Sequence, residues 1–345
     1  MNRNPTSEIG MGFSILIPVQ LDDVMEVVIN HFKLAQFQFF LIAQDRIRLP
    51  AYKGSTFRGG FGHALKKIVC VNREKICESC MLKQKCAYSY IFETPPPSDT
   101  KKMRKYPYAP HPFVITPPLE EEREYNQGDT LCFELTLIGK SVEFLPYFIY
   151  TFDELGQIGI GKGRGKYKLV EVKTQKNHTE EEVIYSSADK ILRQNIKTAG
   201  LEEILDSFSH LSPSGLLTIN FITPTRLKFE GRLSGTLEFH ILIRNMLRRI
   251  SLLSYFHCGE ELNLDFKSLI EKSYEVKVKK SNLKWFDWER YSNRQETKMM
   301  MGGFTGLITF EGEFETFLPF LLLGEYIHVG KGTSFGLGKY EIIRP

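Results

Sequence analysis

The densest chemistry in the chain lies between Gly156 and Tyr167, GQIGIGKGRGKY. Gly159, Gly161, Gly163 and Gly165 fall at alternate positions, with Lys162, Arg164 and Lys166 beside them. Glycine admits positive φ and lets backbone N–H groups approach a phosphate closely, and the interleaved cations suit a polyanion. A tight turn accounts for one or two glycines but not for four in alternation, so the pattern reads as phosphate binding. A second run, Gly330 to Tyr340 (GKGTSFGLGKY), repeats the theme with Lys331, Gly336 and Lys339, and His328 stands just before it. Neither run lies between a strand and a following helix, as a dinucleotide fingerprint does. Neither ends in the Gly-Lys-Ser/Thr of a triphosphate loop.

The other concentration of reactive side chains is Cys70, Cys77, Cys80 and Cys86, four of the six cysteines. The Cys77–Cys80 spacing suits one metal's bite, and four thiolates suffice for a structural zinc. An iron–sulfur cluster is the lesser option, and the competing reading, reduced and unliganded cysteines, must explain why four of six gather in one polar stretch. The first two would pin an insertion over about residues 70–110 rather than perform catalysis.

The two glycine runs superpose without a gap at an offset of 173 residues. Phe144-Leu145-Pro146 then falls on Phe317-Leu318-Pro319, and Lys166-Tyr167 on Lys339-Tyr340. Such self-similarity marks a duplicated unit. In each half the order is strand, helix, strand, strand, helix, glycine loop, strand, which is the ferredoxin-like order also used by RNA recognition modules. The alternating FQFFLIAQDRIRL predicts the first strand, and AYKGSTFRGGFGHALKKIV a helix capped by Ser55 or Thr56. In GTLEFHILIRNMLRRISLLSYF, Leu237, Ile241, Leu242, Met246, Ile250 and Leu253 follow a helical period. The fold class is α+β: two tandem ferredoxin-like domains over residues 1–175 and 215–345. A charged linker and helix fill 176–214.

At 345 residues each half can bury its own core. A 42% hydrophobic and 25% charged composition is that of an ordinary globular protein. With no signal-like N-terminus and no apolar run of membrane length, the expected compartment is the cytoplasm, with no membrane partner, and disulfides are not expected there. The net charge of +4 permits nucleic-acid binding without demanding it. There is no His-Glu-x-x-His helix, no nucleophile elbow and no close carboxylate set for two-metal chemistry.

With the duplicated unit and its glycine loops, LPAYKGSTFRGGFGHAL, PHPFVITPP, EFHILIRNMLRRISLLSYFHCGEEL and FGLGKYEI resemble the CRISPR precursor-RNA processing endoribonucleases of the repeat-associated mysterious protein (RAMP) superfamily. The similarity covers most of the chain from about residue 36. It implies metal-independent cleavage of CRISPR repeat RNA: the ribose 2′-OH attacks the adjacent phosphate, leaving a 2′,3′-cyclic phosphate and a 5′-OH. No cofactor serves that reaction. The alternative is a non-catalytic RNA-binding subunit of a CRISPR effector complex, and other effector subunits are then partners.

The resemblance also implies site residues. Members of the family typically use a histidine on the first helix, helped by a Tyr and a Lys. Here His63 holds that place as general acid or base, Tyr52 orients, and Lys67 supplies charge. The RNA surface is expected from Arg58, Gly161, Lys162, Gly163, Arg164, Lys166, His328, Lys331, Gly336 and Lys339. His240, flanked by apolar residues, reads as core, His111 between prolines reads as structural, and His257 has no obvious partner.

Overall fold

The structure, a computed structural model, describes residues 32–72, 76–176, 180–193, 199–200, 214–292 and 297–344. Residues 1–31, the start of the first domain as bounded from the sequence, lie outside them.

The first sheet is built on β1 (Lys33–Ala43), whose alternation turns Phe37, Phe39, Leu41 and Ala43 inward. Helix α1 (Gly54–Val69) follows, then β2 (Phe113–Thr116), β3 (Thr130–Ile138), α2 (Leu145–Ile158), β4 (Tyr167–Lys176) and β5 (Glu180–Ser186). The strand order is β2-β3-β1-β4-β5, antiparallel throughout. The second sheet repeats it. From β6 (Ser214–Thr225) the chain runs through α3 (Phe239–Leu253), α4 (Phe266–Ser273), β7 (Lys277–Phe286), β8 (Gly303–Glu313), α5 (Leu318–Ile327) and β9 (Tyr340–Ile343). The order β7-β8-β6-β9 matches β2-β3-β1-β4 strand for strand. Each sheet carries its own apolar core. Among the described residues no helix is long and apolar enough to cross a membrane.

Helix α1 forms despite Gly59, Gly60 and Gly62, each of which costs roughly 1 kcal/mol in a helix interior. Phe57, Phe61, Ala64 and Leu65 bury one face of it. Two of the glycines are required by packing: a Cβ on Gly62 would meet the Phe92 ring at 2.1 Å, and one on Gly60 would meet Leu155 at 3.0 Å. The expected Ser55 or Thr56 cap is absent. Lys53 is the N-cap and makes no side-chain cap bond; its buried ammonium donates instead to the Glu120 carbonyl.

Two expectations along the chain need correction. The segment TQKNHTEEE is no simple linker, because β4 runs to Lys176 and β5 pairs with it, so the first sheet extends beyond residue 175. The expected helix over ADKILRQNIKTAGLEEILDSF begins instead as a turn and a bridge from Leu192 to Tyr185, and Ala199–Gly200 pairs with β1. The rest of that stretch lies outside the described residues.

The duplication holds, but the gapless superposition conceals a trade. Helices α2 and α5 both begin at Leu-Pro, yet α2 has 14 residues and α5 only 10. The C-caps are Gly159 (φ 85°, ψ 156°) and His328 (φ 60°, ψ 169°), so these two residues correspond. Beyond them Ile160 N–H donates to Gly165 O at 2.9 Å, and Val329 N–H to Gly338 O at 3.0 Å. Lys162 N–H donates to Arg48 O and Lys331 N–H to Arg226 O, both at 2.9 Å. Lys162 and Lys331 are therefore counterparts. The second unit gives one helical turn to its loop, and register returns at Tyr167 and Tyr340. Both hydroxyls donate back to a helix carbonyl, Tyr167 to Phe152 O and Tyr340 to Leu321 O.

The run Arg244, Arg248 and Arg249 splits by helical phase. Arg244 and Arg248 are exposed, whereas Arg249 is buried. Its guanidinium donates to Ile327 O at 2.8 and 3.0 Å and to His328 O at 3.0 Å, satisfying the end of α5, and burial lowers its pKa to about 9. Arg249→Met is expected to lose about 2–3 kcal/mol in a denaturant titration, since buried carbonyls are left unpaired. Arg248→Met is expected to stay within about 0.5 kcal/mol.

Candidate nucleic-acid interface

The first glycine loop has a structural cause for most of its glycines. Cβ atoms on Gly159, Gly161 and Gly165 would lie 2.1, 2.1 and 2.4 Å from the carbonyl oxygens of Arg164, Arg48 and Arg46. Gly163 meets nothing but has φ +88°, which favours glycine on backbone grounds alone. The alternation is thus largely a device for packing the loop onto Arg46–Arg48. It presents Lys162, Arg164 and Lys166 as exposed cations, Arg164 itself at φ 55°.

The second loop behaves otherwise. It packs against the first domain, so Gly336, Lys339 and His328 do not join the RNA surface expected of them. A Cβ on Gly336 would meet Ile115 O at 2.7 Å and the Pro117 ring at 2.6 Å. Lys339 Nζ donates to Glu134 Oε2 across the seam at 2.7 Å. His328 is 2% exposed: its Nδ1–H donates to Leu337 O at 3.2 Å and its Nε2 accepts from Thr116 Oγ1 at 3.3 Å. Lys331 alone of the expected residues on this loop stays exposed.

Tyr52 and Arg58 are drawn into the same seam. The Tyr52 hydroxyl donates to Phe335 O at 2.8 Å, its ring lies 4.7 Å from that of Trp288, and burial raises its pKa well above the phenol range. The Arg58 guanidinium sits 4.2 Å from the centre of Phe92 and 4.4 Å from that of Phe335, donating to Ser334 Oγ and to His111 Nε2. Both side chains are committed to contacts across that seam. Arg58 acts as a strut between the domains rather than as a free RNA contact.

His63 and Lys67 are both exposed on α1. With Gly59 they form an i, i+4, i+8 stripe, so imidazole and ammonium share one open face. Among the described residues His63 is the exposed histidine. His111, His240, His257 and His328 are all drawn into the protein. His240 stacks on Tyr274 at 4.1 Å, in keeping with a core role. His257, for which no partner was expected, has two: Nε2–H donates to Pro110 O at 2.7 Å, and Nδ1 accepts from Tyr90 at 3.3 Å. Lys66, one residue before Lys67, turns the other way, toward Tyr88 and Cys77.

Cys70, Cys77, Cys80 and Cys86 are all free thiols and partly buried. Burial raises the Cys77 pKa more than the Lys66 ammonium lowers it, which favours thiol over thiolate. Among the described residues no three His, Cys, Asp or Glu side chains are arranged to hold a metal ion.

Sequence reasoning missed Arg226, which like Arg48 accepts from a glycine-loop lysine N–H, and Lys228 two residues beyond it. Aligning Arg48-Leu49 of DRIRLP with Arg226-Leu227 of TPTRLKF would have found the first.

Residues 219–340 match the family described as CRISPR-associated endoribonuclease Cas6, and residues 32–197 match a family described as an N-terminal domain. An uncharacterized protein of Archaeoglobus fulgidus is 26% identical over 300 residues, 85% of this chain and 92% of its own length. Among solved structures, a Cas6 product complex is 17% identical with a TM-score of 0.55, covering 90% of this chain and 100% of that one. Thermus thermophilus Cas6 is 16% identical with a TM-score of 0.51, over 90% and 99%. A partial Cas6-RT-Cas1–Cas2 complex is 14% identical with a TM-score of 0.57, covering 92% of this chain, which spans 47% of the length of that one. At such identities the structural likeness establishes the tandem ferredoxin-like fold.

Proposed function

We propose that the chain is a CRISPR repeat-processing protein of the RAMP type that cleaves CRISPR repeat RNA through His63 without a metal ion, a reading supported by the Cas6 family match over residues 219–340. The ribose 2′-oxygen forms a bond to the adjacent phosphorus while the bond from phosphorus to the 5′ oxygen breaks. One proton leaves the 2′-OH and one arrives at the departing 5′ oxygen. A 2′,3′-cyclic phosphate and a 5′-OH result. His63 moves one of these protons, and Lys67 on the same stripe supplies charge to the phosphorane. The observation that carries this reading is the exposure of His63, where the other described histidines are drawn in. Lys162, Arg164 and Lys166 hold the sugar–phosphate strand, and repeat RNA is the primary partner, with other CRISPR proteins as a second class of partner.

One observation favours a non-catalytic RNA-binding subunit instead: Tyr52, implied as the helper of His63, is committed to the seam. Incubating labelled repeat RNA with the pure protein in EDTA and identifying the product ends separates the two. The first reading expects a 2′,3′-cyclic phosphate, and the second expects retention of intact RNA.

A further inference from the structure

The two domains present the same corner, where a glycine-loop lysine N–H meets an arginine carbonyl just after the first strand, and they charge it differently. In the first domain the corner is neutralised. Arg46 and Arg48 both reach Glu124, Arg48 Nε at 3.3 Å from Oε1 and Arg46 through Oε2. Glu124 belongs to a short strand paired with Ile47–Arg48, so the carboxylate is built into the corner.

In the second domain four cations meet without such a partner. Lys331 sits on the glycine loop, anchored by its N–H to Arg226 O. Arg226 and Lys228 follow β6, and Lys228 is fixed to α3 through Asn245, whose amide donates to Lys228 O at 3.0 Å and to Ile241 O at 2.8 Å. Arg248 projects from α3 one turn further on. Desolvation, then the charges of Lys228, Arg248 and Arg226, hold the Lys331 ammonium below its ordinary range. Among the described residues none of the four forms an ion pair with a carboxylate. Arg226 donates through Nη1 to Met301 Sδ, and its buried Nε finds no acceptor among the described residues. Like charges gathered from three elements raise the energy of the free protein by mutual repulsion, and an approaching polyanion relieves it. The unfilled Arg226 donor points the same way.

We propose that Arg226, Lys228, Arg248 and Lys331 form a phosphate-binding site for the backbone of the bound RNA, and that Arg46 and Arg48 at the matching corner of the first domain, closed off by Glu124, make no such contact and leave the strand there to the loop cations. The site takes consecutive phosphates of one strand, because its cations are spread over a loop, a strand end and a helix rather than converging on one atom. This rests on the reading of the chain as an RNA-binding protein.

The test is fluorescence anisotropy of a labelled repeat RNA with the full chain over a salt series. Lys228→Gln and Arg248→Gln, both at exposed positions, are each expected to weaken binding about four- to sixfold near 0.15 M salt. Each should also lower the slope of log K against log salt by about 0.7–0.9, the loss of one phosphate contact. Lys228→Arg and Arg248→Lys, which keep the charge, should restore both readings, and Arg46→Gln should change neither by more than about twofold. Wild-type protein that binds RNA steeply with salt, with both neutralised variants matching it, overturns the site. Equal loss in Arg46→Gln overturns the asymmetry. Wild-type protein that binds no RNA at any salt instead removes the functional reading, and the site with it.

Discussion

His63→Ala is expected to slow single-turnover cleavage of repeat RNA by about 10²–10⁴-fold while leaving RNA affinity within about twofold. The size follows from the chemistry. A side chain that transfers a proton in the transition state contributes to the rate and little to ground-state binding. His63 lies on the open face of α1 and supports no core contact, so its removal should leave the melting temperature unchanged. Lys67→Ala should cost less, about tenfold to a hundredfold, because an exposed ammonium acts through solvent. Tyr52→Phe should behave differently again. It deletes the bond to Phe335 O and lowers stability by about 1 kcal/mol, with cleavage otherwise intact. Full-rate cleavage by His63→Ala would remove the imidazole from the mechanism. A Tyr52→Phe enzyme that folds normally but cuts as poorly as His63→Ala would return the phenol to the reaction.

The division between legible and illegible residues has a physical basis. The two sheets, their strand order and the first helix could be read because apolar alternation and helical periodicity are local signals, and burial of Phe37, Phe39 and Leu41 or of Phe57, Phe61 and Leu65 obeys them. The first loop's exposed Lys162, Arg164 and Lys166 could be read for the same reason. The second loop could not. Its sequence resembles the first, but Gly336 serves a contact with Ile115 and Pro117, more than two hundred residues away. Nothing local in GKGTSFGLGKY states that Lys339 meets Glu134 or that His328 turns inward. The four-residue exchange between α5 and its loop was equally hidden, since a gapless match looks the same whether or not helix and loop lengths have moved together.

Acidification is expected to loosen the seam between the domains, and the effect should be unmasked by Glu325→Gln. Two imidazoles, His257 and His328, bridge that seam as neutral groups, and a third, His111, backs the Arg58 strut beside it. His111 accepts from Arg58 through Nε2 and donates through Nδ1–H to Thr94 Oγ1, and His257 and His328 each have one nitrogen accepting and one donating. A second proton on His111 sets Nε2–H against the Arg58 guanidinium, and on His257 or His328 it makes the Tyr90 or Thr116 hydroxyl give up the bond it donates. Burial is the main cause that holds all three below the ordinary histidine range, His257 at about 4, and the neighbouring Arg58, Arg249 and Lys339 charges push in the same direction. The folded pKa lies below the unfolded value near 6.5, so this stability is complete above that pH. It is lost as pH falls toward the folded value. For His257 alone that amounts to about 3 kcal/mol between pH 6.5 and 4. Glu325 opposes it. Burial raises its carboxyl to about 7, so the folded state gains stability as pH falls from there toward the unfolded value of about 4.5. Between pH 7 and 5 the wild-type melting temperature should therefore fall gently, because Glu325 offsets one histidine of three. The Glu325→Gln protein, lacking that offset, should fall several degrees further over the same interval. Calorimetry on the two proteins at matched salt reads the difference directly. A Glu325→Gln protein whose melting temperature stays level to pH 5 would mean that the seam histidines are not held neutral.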